Sequence, residues 1–215
     1  MIRILITDDH RIVREGLKQI LSEESGFTVA GEASNGLEAL KQIREQPFDV
    51  LLMDMSMPGR SGIELIKQIK SEKPKLAILV LSMHKEEQYA VRALKAGALG
   101  YLTKESAPDQ LVAAIKKVAS GGVFISPGVA ERLALELGCN HDADPHTQLS
   151  DREYQIFRMI VSGIPIGGIA DDLSLSVKTV STHKTRILQK MRMTSSAELI
   201  HYAIRHQLVE MPGDS

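Results

Sequence analysis

Residues Asp49 to Gly62 read DVLLMDMSMPGRSG. Val50 to Met53 form a short uninterrupted apolar run, and such a run lacks the alternation of a half-wet strand, so it reads as a strand buried on both faces. Asp54 ends it. Pro58, Gly59 and Gly62 then mark a sharp loop, which leaves the Asp54 carboxylate at the lip of a sheet. An aspartate before a Pro/Gly cluster ordinarily caps a turn. What it does here depends on which side chains reach the same edge.

Working outward, the same rhythm recurs over residues 2 to 119. IRILIT precedes a helical pattern with Ile12, Val13, Leu17, Ile20 and Leu21 on one face; FTVAGE precedes Leu37, Leu40 and Ile43; DVLLM precedes Ile63, Ile66 and Ile69. LAILVLS and GYLTK complete five strands, followed by helices carrying Tyr89, Val91, Ala93 and Leu94, then Leu111, Ala114, Ile115 and Val118. Alternating units of this kind predict a doubly wound α/β fold, a parallel sheet with helices on both faces. Ligands of such sheets bind beyond the carboxyl ends of the strands.

Strand one ends at Asp8 and Asp9, strand three at Asp54, strand four at Ser82 and strand five at Lys104, so all five residues fall on one edge. In the flavodoxin-like order 2-1-3-4-5 strands one and three are neighbours, which brings the three carboxylates together. Like charges at a few ångströms resist ionisation, and a divalent cation relieves the conflict; oxygen donors with room for waters suit Mg²⁺. A lysine beside such a cluster points past a structural ion to a phosphoryl group, whose charge cation and ammonium would share. A hydroxyl at Ser82 could donate to it as well. Asp54 then reads as a nucleophile toward phosphorus, forming an acyl phosphate.

ILITDDH, LLMDMSMPG, ILVLS and GYLTK resemble the receiver domain of bacterial response regulators, over residues 2 to about 120. The resemblance implies phosphorylation of Asp54 by a phosphohistidine on a sensor histidine kinase. It also implies Mg²⁺ held by Asp9, Asp54 and the backbone carbonyl of Ser56, with Asp8 acting through a coordinated water. Lys104 would contact the phosphoryl group, and Ser82 and Tyr101 match the paired switch positions.

The remainder of the chain changes character. Residues 123–148 contain SPGVAERLALEL, a short helix with Pro127 at its first position, then GCNHDADPHTQ, which has no apolar periodicity and reads as a linker. His141, Asp142, Asp144 and His146 have metal-binding side chains, but nothing in that stretch fixes their geometry, so no metal site is read there. Residues 149–211 are helical. Ser150 and Glu153 make a capping box for a helix burying Tyr154, Phe157, Ile160 and Val161, which stops at Gly163. IADDLSLSVKTVSTHKTRILQKM then gives a short helix, a turn at Leu173 to Leu175, and a longer helix capped by Ser176 with Val177, Val180, Ile187, Leu188 and Met191 inward. No acid occurs between Asp172 and Glu198, while Lys178, Lys184, Arg186, Lys190 and Arg192 all do. Cations interleaved with small hydroxyl residues on the second of two helices predict a helix-turn-helix entering the major groove of double-stranded DNA.

Leu149 to Leu208 resembles the LuxR-type helix-turn-helix domain of the NarL/FixJ family, carried by LSDRE, IADDLSLSVKTVSTH and ILQKM. That resemblance implies base-edge contacts from Ser181, Thr182 and Thr185; Lys178, Thr179, Lys184 and Lys190 suit phosphates. Where the family usually has a Lys-Glu pair, this chain has Gly167 and Gly168, at about 0.5–1 kcal/mol of helix stability each.

The 26 Lys and Arg and 27 Asp and Glu of the 215 residues nearly cancel, so the basic character is local to this one helix. No apolar run is long enough for a bilayer, and the paired acids at Asp8 and Asp9 cut short any signal-peptide core. The lone Cys139 excludes an internal disulfide and agrees with a reducing compartment, so a cytoplasmic protein without membrane attachment is expected. The organisation expected is a receiver over 1–122, a linker over 123–148 and a DNA-binding domain over 149–211, dimerising and binding DNA under control of Asp54 phosphorylation. A phosphohydrolase would place Asp-x-Asp after strand one, whereas here the acids adjoin; a receiver serving only as a docking module would work without phosphate.

Overall fold

A computed structural model describes residues 1–57, 62–83, 87–106, 108–138, 144–206 and 208. Pro58 and Gly59 of the loop after Asp54, and Cys139, His141 and Asp142 of the expected linker, lie outside the described residues. The chain divides into two compact units, Met1–Gly138 and Cys139–Ser215.

The first unit is β1 (Ile2–Thr7), α1 (Arg11–Ser22), β2 (Phe27–Ala33), α2 (Gly36–Glu45), β3 (Val50–Asp54), α3 (Gly62–Glu72), β4 (Ala77–Ser82), α4 (Glu87–Lys95), β5 (Gly100–Thr103), α5 (Pro108–Ala119) and α6 (Pro127–Gly138). The strands form one sheet in the order β2-β1-β3-β4-β5, with every pair parallel. β3 is buried at all five positions because it is central and covered on both faces. Alternate residues serve the two covers: Ile4, Ile6, Val50, Leu52 and Leu79 pack with Leu21 of α1 and with Leu111, Ile115 and Val118 of α5. Leu5, Leu51, Met53, Ile78 and Val80 pack with Leu40, Ile66 and Val91 from the opposite helices. Gly62 lets α3 start hard against β3's exit, since a Cβ there would stand 2.8 Å from Met55 Sδ and 3.1 Å from its carbonyl oxygen.

Two expected core positions face water. Ile12 is 87 % exposed and Leu37 is 70 % exposed. Each lies in the first turn of its helix, at α1 and α2, a step of about 100° or more from the stripe that does reach the sheet.

The second unit is a 3₁₀ turn (Pro145–Gln148), α7 (Asp151–Val161), α8 (Ile166–Asp172), α9 (Val177–Met191) and α10 (Ser196–Arg205). Tyr154, Phe157, Ile169, Val180, Ile187, Met191, Leu199 and Ala203 make its core. The capping box forms as the sequence predicts: Ser150 Oγ accepts from the Glu153 N–H, and Glu153 accepts from the Ser150 N–H. Gly163 ends α7 at φ +83, and Ser174 turns α8 into α9 at φ +53. Val177, expected inward, is 55 % exposed at the first position of α9.

Segment 123–148 is shared out between the units. Phe124 bridges in parallel to Gly100 at the sheet edge, and α6 packs against α4, burying Val129. At the other end His146 is wholly buried, with Nδ1 2.5 Å from the Tyr202 hydroxyl. An apolar residue at either end of a polar segment, or a histidine with a tyrosine partner far along the chain, leaves no periodic trace to read.

Candidate functional site

In the first unit the strand ends deliver the five expected residues to one place. Asp54 is buried and closes β3; Asp8 is buried just after β1; Asp9 remains partly open to solvent. The Lys104 ammonium bridges the two buried acids, 2.6 Å from Asp8 Oδ2 and 2.8 Å from Asp54 Oδ2. Its placement follows from β5, since the Lys104 N–H donates to the Ser82 carbonyl at 2.8 Å. The other Asp54 oxygen, Oδ1, accepts the Ser56 N–H at 3.0 Å. Arg14 of α1 donates to the Asp8 carbonyl at 2.7 Å, which fixes the chain as it leaves β1.

The electrostatics follow from burial and pairing. Burial pushes the Asp54 carboxyl above the ordinary carboxylate value, and the hydrogen bonds from Lys104 and Ser56 offset this only in part. Burial also works against the Lys104 charge, but its bonds to Asp54 and Asp8 outweigh that and hold its pKa up. Behind them Ser82 is buried and hydrogen-bonded to Tyr101, whose ring is also buried and whose hydroxyl burial pushes to about 12. The two residues expected as the switch pair are therefore in direct contact.

Ligand atoms of Asp8, Asp9, His10 and Asp54 all lie within 4.8 Å of one another. The three carboxylates supply hard oxygen donors on a rim with space for waters, and this donor set fits Mg²⁺. His10 is the member that sequence reasoning missed. Its position directly after the acid pair was the available signal.

In the second unit α9 presents Lys178, Ser181, Thr182, Thr185, Arg186 and Gln189 to solvent, with spacings of three and four that put them on one face. Among the described residues no ion pair holds Lys178, Lys184 or Arg186. Arg186 is thus a further cation of the exposed face, beyond the expected contacts. Thr182 Oγ1 donates to the Lys178 carbonyl at 2.9 Å, and Thr185 Oγ1 to the Ser181 carbonyl at 3.1 Å. Two of the residues expected at phosphates have partners within the domain. Lys190 Nζ is 2.6 Å from Glu153 Oε2, so its charge ties α9 to the start of α7. Thr179 is half-buried with its hydroxyl 2.8 Å from Ser176 Oγ, and it belongs to the helix cap.

A five-stranded parallel sheet with an acid triad and lysine at one edge, joined to a helix-turn-helix, defines a receiver coupled to a DNA-binding domain. Family models agree on both halves: the response regulator receiver domain matches residues 4–116, and the luxR family of bacterial regulatory proteins matches residues 147–203. The chain belongs to the NarL/FixJ family of two-component response regulators, which are regulators of transcription. It is 40 % identical over 209 residues to response regulator UvrY of Escherichia coli K12, covering 97 % of this chain and 96 % of that protein. To response regulator GacA of Pseudomonas aeruginosa it is 39 % identical over 212 residues, 98 % of this chain and 99 % of that one. Among solved structures it is similar to RcsB of Salmonella enterica serovar Typhimurium bound to promoter rprA in the presence of phosphomimetic BeF₃⁻. That likeness has a TM-score of 0.66 at 28 % identity and covers 94 % of this chain and 97 % of that one.

Proposed function

We propose that Asp54 accepts a phosphoryl group from a phosphohistidine of a sensor histidine kinase, and that the acyl phosphate promotes dimerisation and sequence-specific DNA binding. The observation that carries this is the Lys104 ammonium 2.8 Å from a buried Asp54 carboxylate at the open edge of the sheet. A carboxylate oxygen forms the new P–O bond as the P–N bond breaks, and the departing imidazole takes up a proton. Lys104 then moves its hydrogen bond from the carboxylate to a phosphoryl oxygen, while the Ser56 N–H keeps Asp54 oriented. The Ser82 hydroxyl leaves Tyr101 for the phosphoryl group, and the ring follows; that exchange carries the signal out of the site.

Asp9, Asp54 and the Ser56 carbonyl would hold Mg²⁺, with Asp8 reaching it through water, and the ion would supply positive charge for the phosphoryl oxygens. The same residues assist hydrolysis of the acyl phosphate, so the chain takes up one phosphoryl group and later loses it, without turnover of a separate substrate. On DNA, Lys178, Lys184 and Arg186 contact phosphates, and Ser181, Thr182 and Thr185 reach base edges. Solved RcsB bound to promoter DNA supports the docking of such a domain on a duplex, and a DNA-binding role supports a cytoplasmic location beside the chromosome.

The test is incubation of the full chain with a small phosphodonor and Mg²⁺, read by intact mass. One base-labile phosphoryl group is expected on the wild type and none on Asp54→Asn. Undiminished labelling of the variant rejects the site.

A further inference from the structure

We propose that His10 is a ligand of the same cation site through Nδ1, and that it turns the site's preference from Mg²⁺ toward Mn²⁺ and Zn²⁺. The proposal rests on the reading of Asp9 and Asp54 as cation-holding residues.

His10 occupies the N-cap position of α1, yet its side chain makes no capping bond to the helix. Instead its backbone N–H donates to Asp8 Oδ1 at 2.8 Å, which holds the residue against the acid cluster. The ring then places Nδ1 2.9 Å from Asp9 Oδ1 and 3.2 Å from Asp8 Oδ1. In an octahedral site with bonds of about 2.0–2.1 Å, neighbouring donors stand about 2.9 Å apart. Nδ1 therefore has the spacing of an adjacent ligand to Asp9, while Asp8, which would reach the ion through water, holds the histidine beside the site. The side chain is 64 % exposed, so an ion bound there keeps room for water on its outer side.

Chemistry sets the selectivity. Mg²⁺ favours oxygen and gains little from an imidazole, whereas affinity for nitrogen-containing sites rises along the first-row series, and imidazole suits Zn²⁺ well. An ion binds Nδ1 only when that atom carries no proton, so any proton held there passes to solvent on binding.

The experiment uses the full-length protein, with His10→Ala, His10→Gln and Asp9→Asn. Mn²⁺ binding is followed by electron paramagnetic resonance, pulsed spectra report ¹⁴N coupling to the bound ion, and Zn²⁺ and Mg²⁺ are measured by competition. Wild type should show the nitrogen coupling and both His10 variants should lack it. Their Mn²⁺ and Zn²⁺ affinities should fall about tenfold, the scale on which metal-site contacts act, with Mg²⁺ affinity moving far less. Both variants keep the backbone bond to Asp8, so the acid cluster stays in place. Nitrogen coupling absent from the wild type, or persisting in both His10 variants, overturns the role of His10. Mn²⁺ binding undiminished in Asp9→Asn overturns the cation site itself.

Discussion

The Lys190 ammonium, near the end of α9, lies 2.6 Å from the Glu153 carboxylate in the first turn of α7. Glu153 is almost fully buried and also closes the capping box with Ser150, so one carboxylate fastens the recognition helix to the helix that opens the domain. Burial raises the Glu153 pKa, but the bonds from Lys190 and Ser150 outweigh it and hold the carboxyl below its ordinary value.

Lys190→Ala should therefore cost stability more than DNA affinity. A charge-assisted bond with one partner 41 % exposed is worth about 1–2 kcal/mol, measured by denaturant unfolding. A depressed carboxylate contributes stability above its unfolded pKa and loses it as pH falls through the folded value, so the gap between wild type and variant should close in acid. The salt dependence of DNA binding should be unchanged. A variant as stable as wild type would place Lys190 back among the phosphate contacts.

Asp54 has the opposite sign. Its carboxyl is held above the ordinary value by burial, so as pH rises past that ordinary value the unfolded chain ionises first and the folded state loses stability. Asp54→Asn removes that penalty. The variant should unfold at a higher temperature than wild type at neutral pH without added metal, and the two should converge below the ordinary carboxylate range. A less stable variant at neutral pH would mean that the ion pair with Lys104 outweighs burial.

Ser82 and Tyr101 are hydrogen-bonded to each other, and neither is among the residues expected to hold the cation. Ser82→Ala should therefore leave phosphorylation largely intact while uncoupling it from dimerisation, measured by sedimentation, and from DNA binding. Wild-type coupling in this variant would remove the pair from the switch.

How much of this was legible depends on whether a residue's neighbours are repeated along the chain. The strand runs and the stripes at Ile63, Ile66 and Ile69 or Leu111, Ala114, Ile115 and Val118 are local patterns, and all seven stripe residues are buried. Strand ends share an edge in any parallel sheet, so Asp8, Asp54, Ser82 and Lys104 could be brought together from topology alone. Periodicity could not show that the first turn of a helix lies off its buried stripe, which is why Ile12, Leu37 and Val177 face water. Nor could it show that Lys190 finds Glu153, or His146 finds Tyr202, because single pairs far apart in sequence have no period.

Gly167 and Gly168 sit inside α8, which forms despite them. A Cβ on Gly167 meets nothing within 4 Å, so Gly167→Ala should stabilise the domain by about 0.5–1 kcal/mol through the lost backbone freedom of the unfolded chain. Gly168→Ala should gain less, because its Cβ stands 3.2 Å from the Ile164 methyl Cγ2 and that side chain must yield. Thermal unfolding of the two variants checks the order, and equal gains would mean that Ile164 moves freely.

The recognition helix separates two kinds of DNA contact. Lys178, Lys184 and Arg186 are long cations that no ion pair holds among the described residues, so alanine at any one should weaken binding to every duplex and reduce the salt slope by about one. Thr182 and Thr185 already donate their hydroxyl protons to carbonyls of their own helix, and this leaves each hydroxyl as an acceptor beside an exposed methyl. Acceptors in the major groove read the amino groups of adenine or cytosine, and methyls pack on thymine. Replacing either threonine by valine keeps the methyl and removes the acceptor, so it should relax preference at adenine or cytosine by roughly 1–3 kcal/mol while sparing a thymine contact and the salt slope. The measurement is a titration of each variant over several salt concentrations, on an operator selected from a random pool, on single-base changes of it, and on a scrambled duplex. If the valine variants lose affinity equally on operator and scrambled duplex, the two threonines face the backbone and the helix lies too shallow to read bases.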